Sequence, residues 1–365
     1  MTDSWERLAL FENRDLLPRF FQNRHGRDLS AEKAYEIIGH LAQGRGFFES
    51  ARQSSELARP LLLYYGVYAL SRGLILFLDA KMRETSLPPS HGIIAEGWQH
   101  VLSGGIDKLP DLPLKMTGGT FALLSKTTSN VEKCLIHNEG TPLYATNIHM
   151  MSSTYAIQDY QSARTGTATI KTRTVVTIKM VLERLPDLAI IFATTFDSLP
   201  KCYPARACFI PANPDELVLL LEVVSSLSDE DHIRSVFGLP ADVLLTTINS
   251  KFDERWLSKV NLIFTGISRS SKAGLNTELP SIKSDREGKM YVVELLPDGL
   301  DLSSLSLLYL IAYSMGMLVR YYPSKWLSLQ NSSKGGFAFP LMKAASKLVE
   351  ERFPQLVLQE LESSI

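Results

Sequence analysis

The residues best suited to binding chemistry form a short block near the carboxyl end of the chain. Arg320, Tyr321, Tyr322 and Trp326 surround Pro323, directly after a long apolar run. Because proline cannot continue a helical hydrogen-bond ladder, the block is expected where a helix ends. An arginine there offers a planar fork to a carboxylate or phosphate, with aromatic rings beside it for a base or a peptide. In the alternative interpretation, Arg320 caps helix carbonyls and the rings fill the core.

A second group of candidate residues lies earlier in the chain. Tyr65, Tyr68 and Arg72 are spaced three and four residues apart, so they share one face of a predicted helix. His91 follows a Pro-Pro-Ser turn, where an imidazole could act as a base or donate to an anion. A core face with one buried ion pair and a turn-capping histidine are the simpler interpretations. Together with the Arg320 block, these residues are the predicted binding site for a ligand or partner.

One match exists to the Arg-x4–6-His pattern of metal-independent HEPN-like ribonucleases. It joins Arg19 to His25. With 20 arginines and 7 histidines in 365 residues, three allowed spacings give roughly one match by chance. The motif keeps a catalytic alternative open, with Arg19 and His25 as its residues, but carries little weight by itself.

Metal and cofactor motifs are weak or missing. Cys134-x2-His137 together with Cys202-x5-Cys208 has four zinc-type donors, but the two pairs are too far apart in the chain for a typical zinc module. Buried, unliganded cysteines are the favoured interpretation. No G-x4-G-K-[ST] loop, dinucleotide-type glycine fingerprint or H-E-x-x-H is present. We therefore expect neither a metal nor a cofactor.

Composition and charge limit the remaining classes of function. The 38 basic and 39 acidic residues give a formal net charge of −1, so no global field gathers nucleic acid or an anionic membrane, although a local nucleic-acid site stays possible. Three cysteines are too few for a disulfide framework, and the first 15 residues carry acids where an export signal would be apolar. The apolar segments 61–80 and 305–319 contain charges or are short for a span, so both are expected to be core helices. A cytoplasmic location without membrane attachment follows as an expectation.

Hydrophobic periodicity places helices at both ends of the chain. It predicts helices over 30–56 and 57–83, with Gly44 and Gly46 breaking the first, and two more over 302–321 and 339–353. Gly66 and Gly73 should share a helix face that another helix approaches closely. The segment 87–155 is expected to be loop-rich with short strands, apart from a helix over 93–101. Strands are expected over 166–174 and in the runs ARACFI, ELVLLLEVV, NLIFTGIS and MYVVELL.

This order of elements predicts an α+β fold. Helices from both chain ends would pack together, with a strand-rich and mostly antiparallel region between them. We divide the chain into an N-terminal helical region (1–110), a central strand-rich region (111–298) and a C-terminal helical region (299–365). No clear linker separates them, so one cooperative unit is expected.

Four segments resemble the bacterial YaaC-like protein family in their amino-acid sequence and in their order along the chain. They are ARPLLLYYGVYALSRGL at 58–74, His91-Gly92, MGMLVRYYPSKW at 315–326 and RFPQLVLQELE at 352–362. No reaction is established for that family. The resemblance implies a bacterial cytoplasmic protein with a shared pocket, and an accessory role in a stress or antiviral defence system.

The family-like residues are mostly apolar, aromatic and arginine, which suits recognition better than proton transfer. The leading hypothesis is therefore a non-enzymatic protein that binds a partner protein, a second copy of itself or a ligand near Arg320, Tyr321, Tyr322, Trp326 and His91. A ribonuclease and a nucleotide-binding protein are the alternatives.

Overall fold

The computed structural model describes residues 2–128, 131–138, 158–164, 174–211, 216–252, 255–268, 280–331 and 336–363 of the chain. Within these ranges the α-helices, α1 to α12 in chain order, are Thr2–Phe11, Leu17–His25, Ala31–Gln53, Arg59–Leu78, Trp98–Ser103, Gly119–Thr127, Ile178–Leu182, Ala189–Phe196, Glu230–Phe237, Ser304–Tyr321, Pro323–Gln330 and Phe339–Glu362. The strands of the same ranges, β1 to β11, are Ile93–Ile94, Pro113–Met116, Val131–Asn138, Gln158–Arg164, Val175–Thr177, Cys202–Pro211, Glu216–Ser225, Leu244–Phe252, Arg255–Ser268, Ile282–Ser284 and Met290–Val293.

Helices α3 and α4 form the centre of the helical core. A Cβ atom at Gly66 would lie 2.6 Å from the Phe48 ring, and one at Gly73 would lie 2.9 Å from Leu41. Because residue numbers rise along one helix as they fall along the other, the two helices are antiparallel. The predicted close approach at the two glycines of α4 is confirmed, since no larger side chain fits there.

Helix α3 is continuous where the sequence interpretation expected a break. It begins as predicted, with the Ser30 hydroxyl accepting from the Lys33 amide. The prediction that Gly44 and Gly46 break it is wrong, because the helix continues to Gln53. A Cβ atom at Gly44 would lie 2.6 Å from Leu70, so this glycine serves helix packing.

The C-terminal helix α12 also exceeds its predicted end at Phe353. It continues through Pro354 to Glu362, because buried side chains on both sides of the proline hold the helix in the core. Arg7 on α1 donates to Glu362 at 3.0 Å. Helices from the two ends of the chain therefore pack together, which confirms the predicted α+β architecture.

The strands form two sheets. Strands β1, β2 and β5 make a small antiparallel sheet beside the helices. The large sheet has the order β10-β11-β6-β7-β9-β8, and β3 joins it by pairing with β4 and β6. The pairings in the described part are antiparallel except for that of β3 with β6, in agreement with the mostly antiparallel prediction. Helix α9 covers this sheet with Ile233 and Phe237.

Several local expectations need correction. Gly119–Thr127, inside the segment 87–155 that was expected to be loop-rich with short strands, forms α6. The helix expected over 93–101 starts only at Trp98, because Ile93 and Ile94 pair with β2. The strand expected over 166–174 lies almost wholly outside the described residues. The predicted runs ARACFI, ELVLLLEVV, NLIFTGIS and MYVVELL do contain strands β6, β7, β9 and β11.

Arg184 connects the helical core to the large sheet. Its guanidinium donates to the carbonyls of Glu294 at 2.8 Å and Leu295 at 3.0 Å, just after β11. Arg286, after β10, also pairs with Asp187 and with Glu351 of α12. These contacts fix the sheet against the helical core, α12 included.

Two helices of the described part, α4 and α10, are long and apolar enough to cross a membrane. Most of each hydrophobic window is buried against the rest of the protein, 72% in α4 and 78% in α10. A core helix shows the same properties, so length and composition are weak grounds for a membrane span.

Candidate functional site

The candidate site lies where α4, α10 and the loop from Pro88 to Ile93 meet. Helix α4 contributes Tyr64, Tyr65 and Tyr68, and the missing side chain of Gly316 on α10 allows close contact, since a Cβ atom there would lie 2.8 Å from Tyr64. Burial changes across the group. Tyr64 is 3% exposed, whereas Tyr65 and Tyr68 are half-buried. The tyrosines therefore extend from the core to the surface.

Arg320 lies at the surface end of this group. It is in the last turn of α10 and donates to the Tyr65 hydroxyl at 3.2 Å. Its guanidinium carbon lies 5.0 Å from the centre of the Tyr321 ring, a cation–π distance. Within the described ranges no carboxylate forms an ion pair with Arg320, and the side chain is exposed. The guanidinium is thus oriented by two aromatic residues while its charge stays unneutralised.

The loop that carries His91 is held by hydrogen bonds along its whole length. Each backbone carbonyl from Pro88 to Ile93 accepts at least one hydrogen bond. The donors come from α4, from α6 with the two residues before it, and from α10: Arg72, Tyr68, Thr117, Thr120, Phe121, Tyr309 and Tyr313. Such a loop is preorganised, because none of these carbonyls must find a partner when a ligand arrives.

The backbone carbonyl of His91 is hydrogen-bonded, but one nitrogen of its side chain is not. Its ring meets Tyr68 edge-on at 4.8 Å and Tyr64 at 5.3 Å between centroids. The Nδ1 atom is buried and has no hydrogen-bond partner among the described residues. Burial lowers the pKa of His91, and the nearby charge of Arg320 lowers it further, so the imidazole is neutral at pH 7.

Three tyrosine hydroxyls lie at the inner end of the site. Tyr313 donates to the Ile93 carbonyl at 2.9 Å, and Tyr309 to the His91 carbonyl at 3.3 Å. The Tyr64 hydroxyl is buried and makes no well-aligned hydrogen bond in the part of the chain that the structure describes, although the Tyr309 hydroxyl lies close to it. Burial raises the pKa of Tyr64 far above its ordinary value and that of Tyr313 to about 12. All three are neutral hydrogen-bond donors at physiological pH.

Arg72 makes hydrogen bonds within the protein and forms no ion pair among the described residues. Its guanidinium donates to the Pro88 carbonyl at 3.0 Å and to the Tyr68 hydroxyl at 3.2 Å. The expected buried ion pair is not observed for Arg72 among the described side chains. This arginine therefore fastens the histidine loop to α4, and its charge also lacks a carboxylate partner.

The Arg320 block divides into surface and core residues. Tyr321 is 54% exposed, whereas Trp326 is 2% exposed. The Trp326 indole donates to the Glu56 carbonyl at 3.2 Å, and the Tyr322 ring packs 6.2 Å from that of Trp98. The structure thus brings Arg320, Tyr321, Tyr65, Arg72 and His91 into one neighbourhood. Trp326 is buried in the core, and the half-buried Tyr322 packs against it.

Arg19 and His25 do not form a shared site. They are six residues apart on α2, so they project about 120° apart around the helix axis. The His25 Nε2 atom lies 2.9 Å from the Phe77 carbonyl, and its ring packs on Phe21. Burial lowers the pKa of His25. The ribonuclease alternative draws no support from this geometry.

No metal site emerges from the described side chains. They contain no group of three or more His, Cys, Asp or Glu placed to hold an ion. The side chains of Cys134, His137 and Cys208 lie outside the described set. The thiol of Cys202 is buried, which raises its pKa to about 12, so this cysteine is inert at neutral pH.

Sequence reasoning did not assign Tyr64, Tyr309 or Tyr313 to the site. Their positions inside strongly apolar helices favoured a packing role. The available signal was the i, i+4 spacing of Tyr309 and Tyr313, because two buried hydroxyls on one helix face require hydrogen-bond partners.

Comparison with curated proteins and with solved structures gave no significant match. The family model described as YaaC-like Protein matches residues 9–361, a range that includes α2 to α11, nearly all of α12 and every residue of the candidate site. The chain belongs to the YaaC-like protein family.

Proposed function

We propose that this protein is a non-enzymatic binding protein that recognises an anionic group of a partner protein or ligand at Arg320. One observation carries the proposal: the Arg320 guanidinium is exposed, oriented by Tyr65 and Tyr321, and has no carboxylate partner among the described residues. A fixed guanidinium loses little conformational entropy when an anion binds. Its charge and planar donors are therefore available for recognition.

The rest of the site supports binding more than catalysis. His91 is neutral and Tyr64, Tyr309 and Tyr313 are far from ionising near neutral pH, so the aromatic residues offer hydrogen bonds and flat surfaces. Aromatic residues and arginine are enriched where binding energy concentrates. A cytoplasmic accessory role in a stress or antiviral defence system is part of the same proposal and rests on the family resemblance.

Affinity purification from cells that naturally produce the protein tests the proposal. The wild type, Arg320→Ala and Arg14→Ala would be compared by mass spectrometry and by absorbance at 260 nm of the same eluate. Arg14 is a matched control because its guanidinium also lies over a tyrosine ring, that of Tyr35, at 4.4 Å. We expect a stoichiometric partner or ligand that only Arg320→Ala loses. An Arg320→Ala protein that folds normally and retains everything bound would overturn the assignment.

Nucleotide binding is a second candidate, favoured by the adjacency of an arginine and the exposed Tyr321 ring. The arginine would hold phosphate and the ring would stack on the base. A thermal-shift panel of nucleotides tests it, because a ligand at 100 times its dissociation constant adds about 2.7 kcal/mol of stability. No shift with any nucleotide would count against this candidate.

A further inference from the structure

We propose that the group recognised at this site is a phosphate, and that His91 takes up a proton when the phosphate binds. The inference rests on the proposed function and names the chemical class of its ligand. It depends on three features: the charge of the site, its two unsatisfied polar atoms and the rigidity of the histidine loop.

The first feature is charge. Arg320 and Arg72 lie toward opposite ends of the face formed by Tyr65 and Tyr68, and neither forms an ion pair within the described residues. The site thus carries two arginine charges without a carboxylate partner. A phosphate monoester, with a charge of about −1.5 to −2 at pH 7, complements them better than a single carboxylate does.

The second feature is a pair of unsatisfied polar atoms. Tyr64 Oη and His91 Nδ1 are both buried and make no well-aligned hydrogen bond in the described structure, and their rings are neighbours. The Tyr309 hydroxyl lies close to that of Tyr64, so the histidine nitrogen is the stronger of the two observations. Buried polar groups are normally hydrogen-bonded, because an unpaired buried group has lost its hydrogen bonds to water without replacement. A phenol and a protonated imidazole are both donors, so the oxygens of one anion could accept from each. Phosphate has three such oxygens.

The third feature is preorganisation. Every carbonyl from Pro88 to Ile93 already accepts a hydrogen bond, so the orphan nitrogen of His91 is not a consequence of a poorly packed loop. The rest of the loop is optimised around it. One side-chain atom without a hydrogen bond, in a loop whose other polar groups are hydrogen-bonded, is expected where a ligand supplies the missing partner.

The surroundings of His91 explain the proton uptake. Tyr64 and Tyr68 face it from α4, and Tyr309, Tyr313 and Arg320 face or lie near it from α10. None of these groups is a carboxylate, and Arg320 and burial both oppose a positive imidazole. A bound dianion reverses that balance, because it stabilises the imidazolium through an opposite charge and a hydrogen bond. The proton comes from solvent and is held on His91 while the phosphate is bound.

Isothermal titration calorimetry with phenyl phosphate and benzoate tests the inference on the full chain. Titrations at about pH 7.5, where the phosphate is almost fully dianionic, would use two buffers of different ionisation enthalpy. We expect phenyl phosphate to bind at least about tenfold more tightly than benzoate, with uptake of about one proton per site. Adenosine monophosphate in the same assay separates the sources of the group. If adenosine monophosphate binds with the same affinity as phenyl phosphate, the phosphate alone is recognised. If it binds more tightly, the base contributes as well. Both outcomes support phosphate recognition.

Variants assign the proton and the charge to residues. In His91→Phe, which keeps an aromatic ring in the cluster, the proton uptake should disappear and the affinity for phenyl phosphate should fall about tenfold. Arg320→Gln should lower the affinity by at least as much, whereas the control Arg14→Gln should leave it unchanged. Persisting proton uptake in His91→Phe would overturn the assignment of the proton.

Two results would overturn phosphate recognition itself. In the first, benzoate binds as tightly as phenyl phosphate, so that the general anion site survives but the phosphate class does not. Alternatively, neither anion binds at millimolar concentration. The proposed function then stands only if Arg320→Ala still loses the partner captured in cells, so failure of the inference and failure of the function give different results.

Discussion

Arg320 and Tyr65, which are 255 positions apart in the chain, meet through a 3.2 Å hydrogen bond from the guanidinium to the phenol oxygen. The contact joins the last turn of α10 to the middle of α4 and orients the exposed charge of the candidate site. Tyr65 also stacks on Phe47 of α3, with 5.6 Å between ring centroids. One hydroxyl thus couples the geometry of the recognition residue to the central helix pair.

Replacing Tyr65 with phenylalanine removes that hydroxyl and keeps the stacked ring. We expect the free energy of unfolding to change by less than about 0.5 kcal/mol, since the bond is exposed. Affinity for the ligand or partner should fall about fivefold, because Arg320 loses its acceptor, a contribution of about 1 kcal/mol. Chemical denaturation and a binding titration measure the two effects. Unchanged affinity would show that Tyr321 alone orients the arginine.

The sequence was informative about the helices that build the site and less so about the site itself. Gly66 and Gly73 predicted the close approach of α3 to α4 because seven-residue spacing places both on one face. Gly44 led to the wrong prediction of a helix break, because a glycine in a helical sequence can mark either a helix end or a close contact with another helix. Only the position of Leu70 in the fold shows that it marks a contact. Tyr64 and His91 come together through tertiary packing, which no local spacing encodes.

Tyr64→Phe and Tyr313→Phe form a matched pair that separates an unsatisfied hydroxyl from a satisfied one. Tyr313 donates to the Ile93 carbonyl, so its loss should cost about 1 kcal/mol of unfolding free energy and leave that carbonyl without this partner. The Tyr64 hydroxyl lies close to that of Tyr309 but makes no well-aligned hydrogen bond among the described residues, so its removal should be close to neutral or stabilising.

Urea unfolding of both variants measures this difference, and binding measurements complete the comparison. If Tyr64 serves a ligand, Tyr64→Phe should weaken phosphate binding while preserving or raising stability. Equal destabilisation by the two substitutions would indicate that the Tyr64 hydroxyl has a structural partner and would remove it from the site.

The stability of the protein should depend on pH through His91. Burial lowers its pKa in the folded state below the ordinary value, which is about 6.5 in the unfolded chain. Between the two values the unfolded state binds more protons, so the free energy of unfolding falls as the pH drops below about 6.5 and levels off below the folded-state pKa. The pKa values of His25 and His40 are also lowered by burial and contribute in the same direction.

His91→Phe should therefore show a shallower acid loss of stability than the wild type, without abolishing it. Denaturant midpoints measured between about pH 5 and about pH 8 give the comparison. Saturating phosphate should flatten the wild-type profile as well, because it favours the protonated imidazole. Parallel profiles for the two proteins would mean that His91 titrates normally in the folded state.

Gly92 is the position where the histidine loop leaves no room for a side chain. Its φ is +86°, and a Cβ atom would lie 1.7 Å from the carbonyl oxygen of Gly118. Gly92→Ala must therefore displace the backbone before α6, and we expect a loss of more than about 3 kcal/mol in unfolding free energy. Gly26→Ala is the control, with a similar positive φ of +62° and no atom within 4 Å.

The control should lose only about 1–2 kcal/mol, the cost of the left-handed conformation itself. The difference between the two alanine variants, measured by chemical denaturation, isolates the contribution of close packing between the loop and α6. Because that packing aligns the amides of Thr120 and Phe121 with the Ser90 and His91 carbonyls, Gly92→Ala should also lose ligand binding in the fraction that remains folded. Equal losses at the two glycines would show that the loop can shift freely, and the preorganisation of His91 would then have no structural basis.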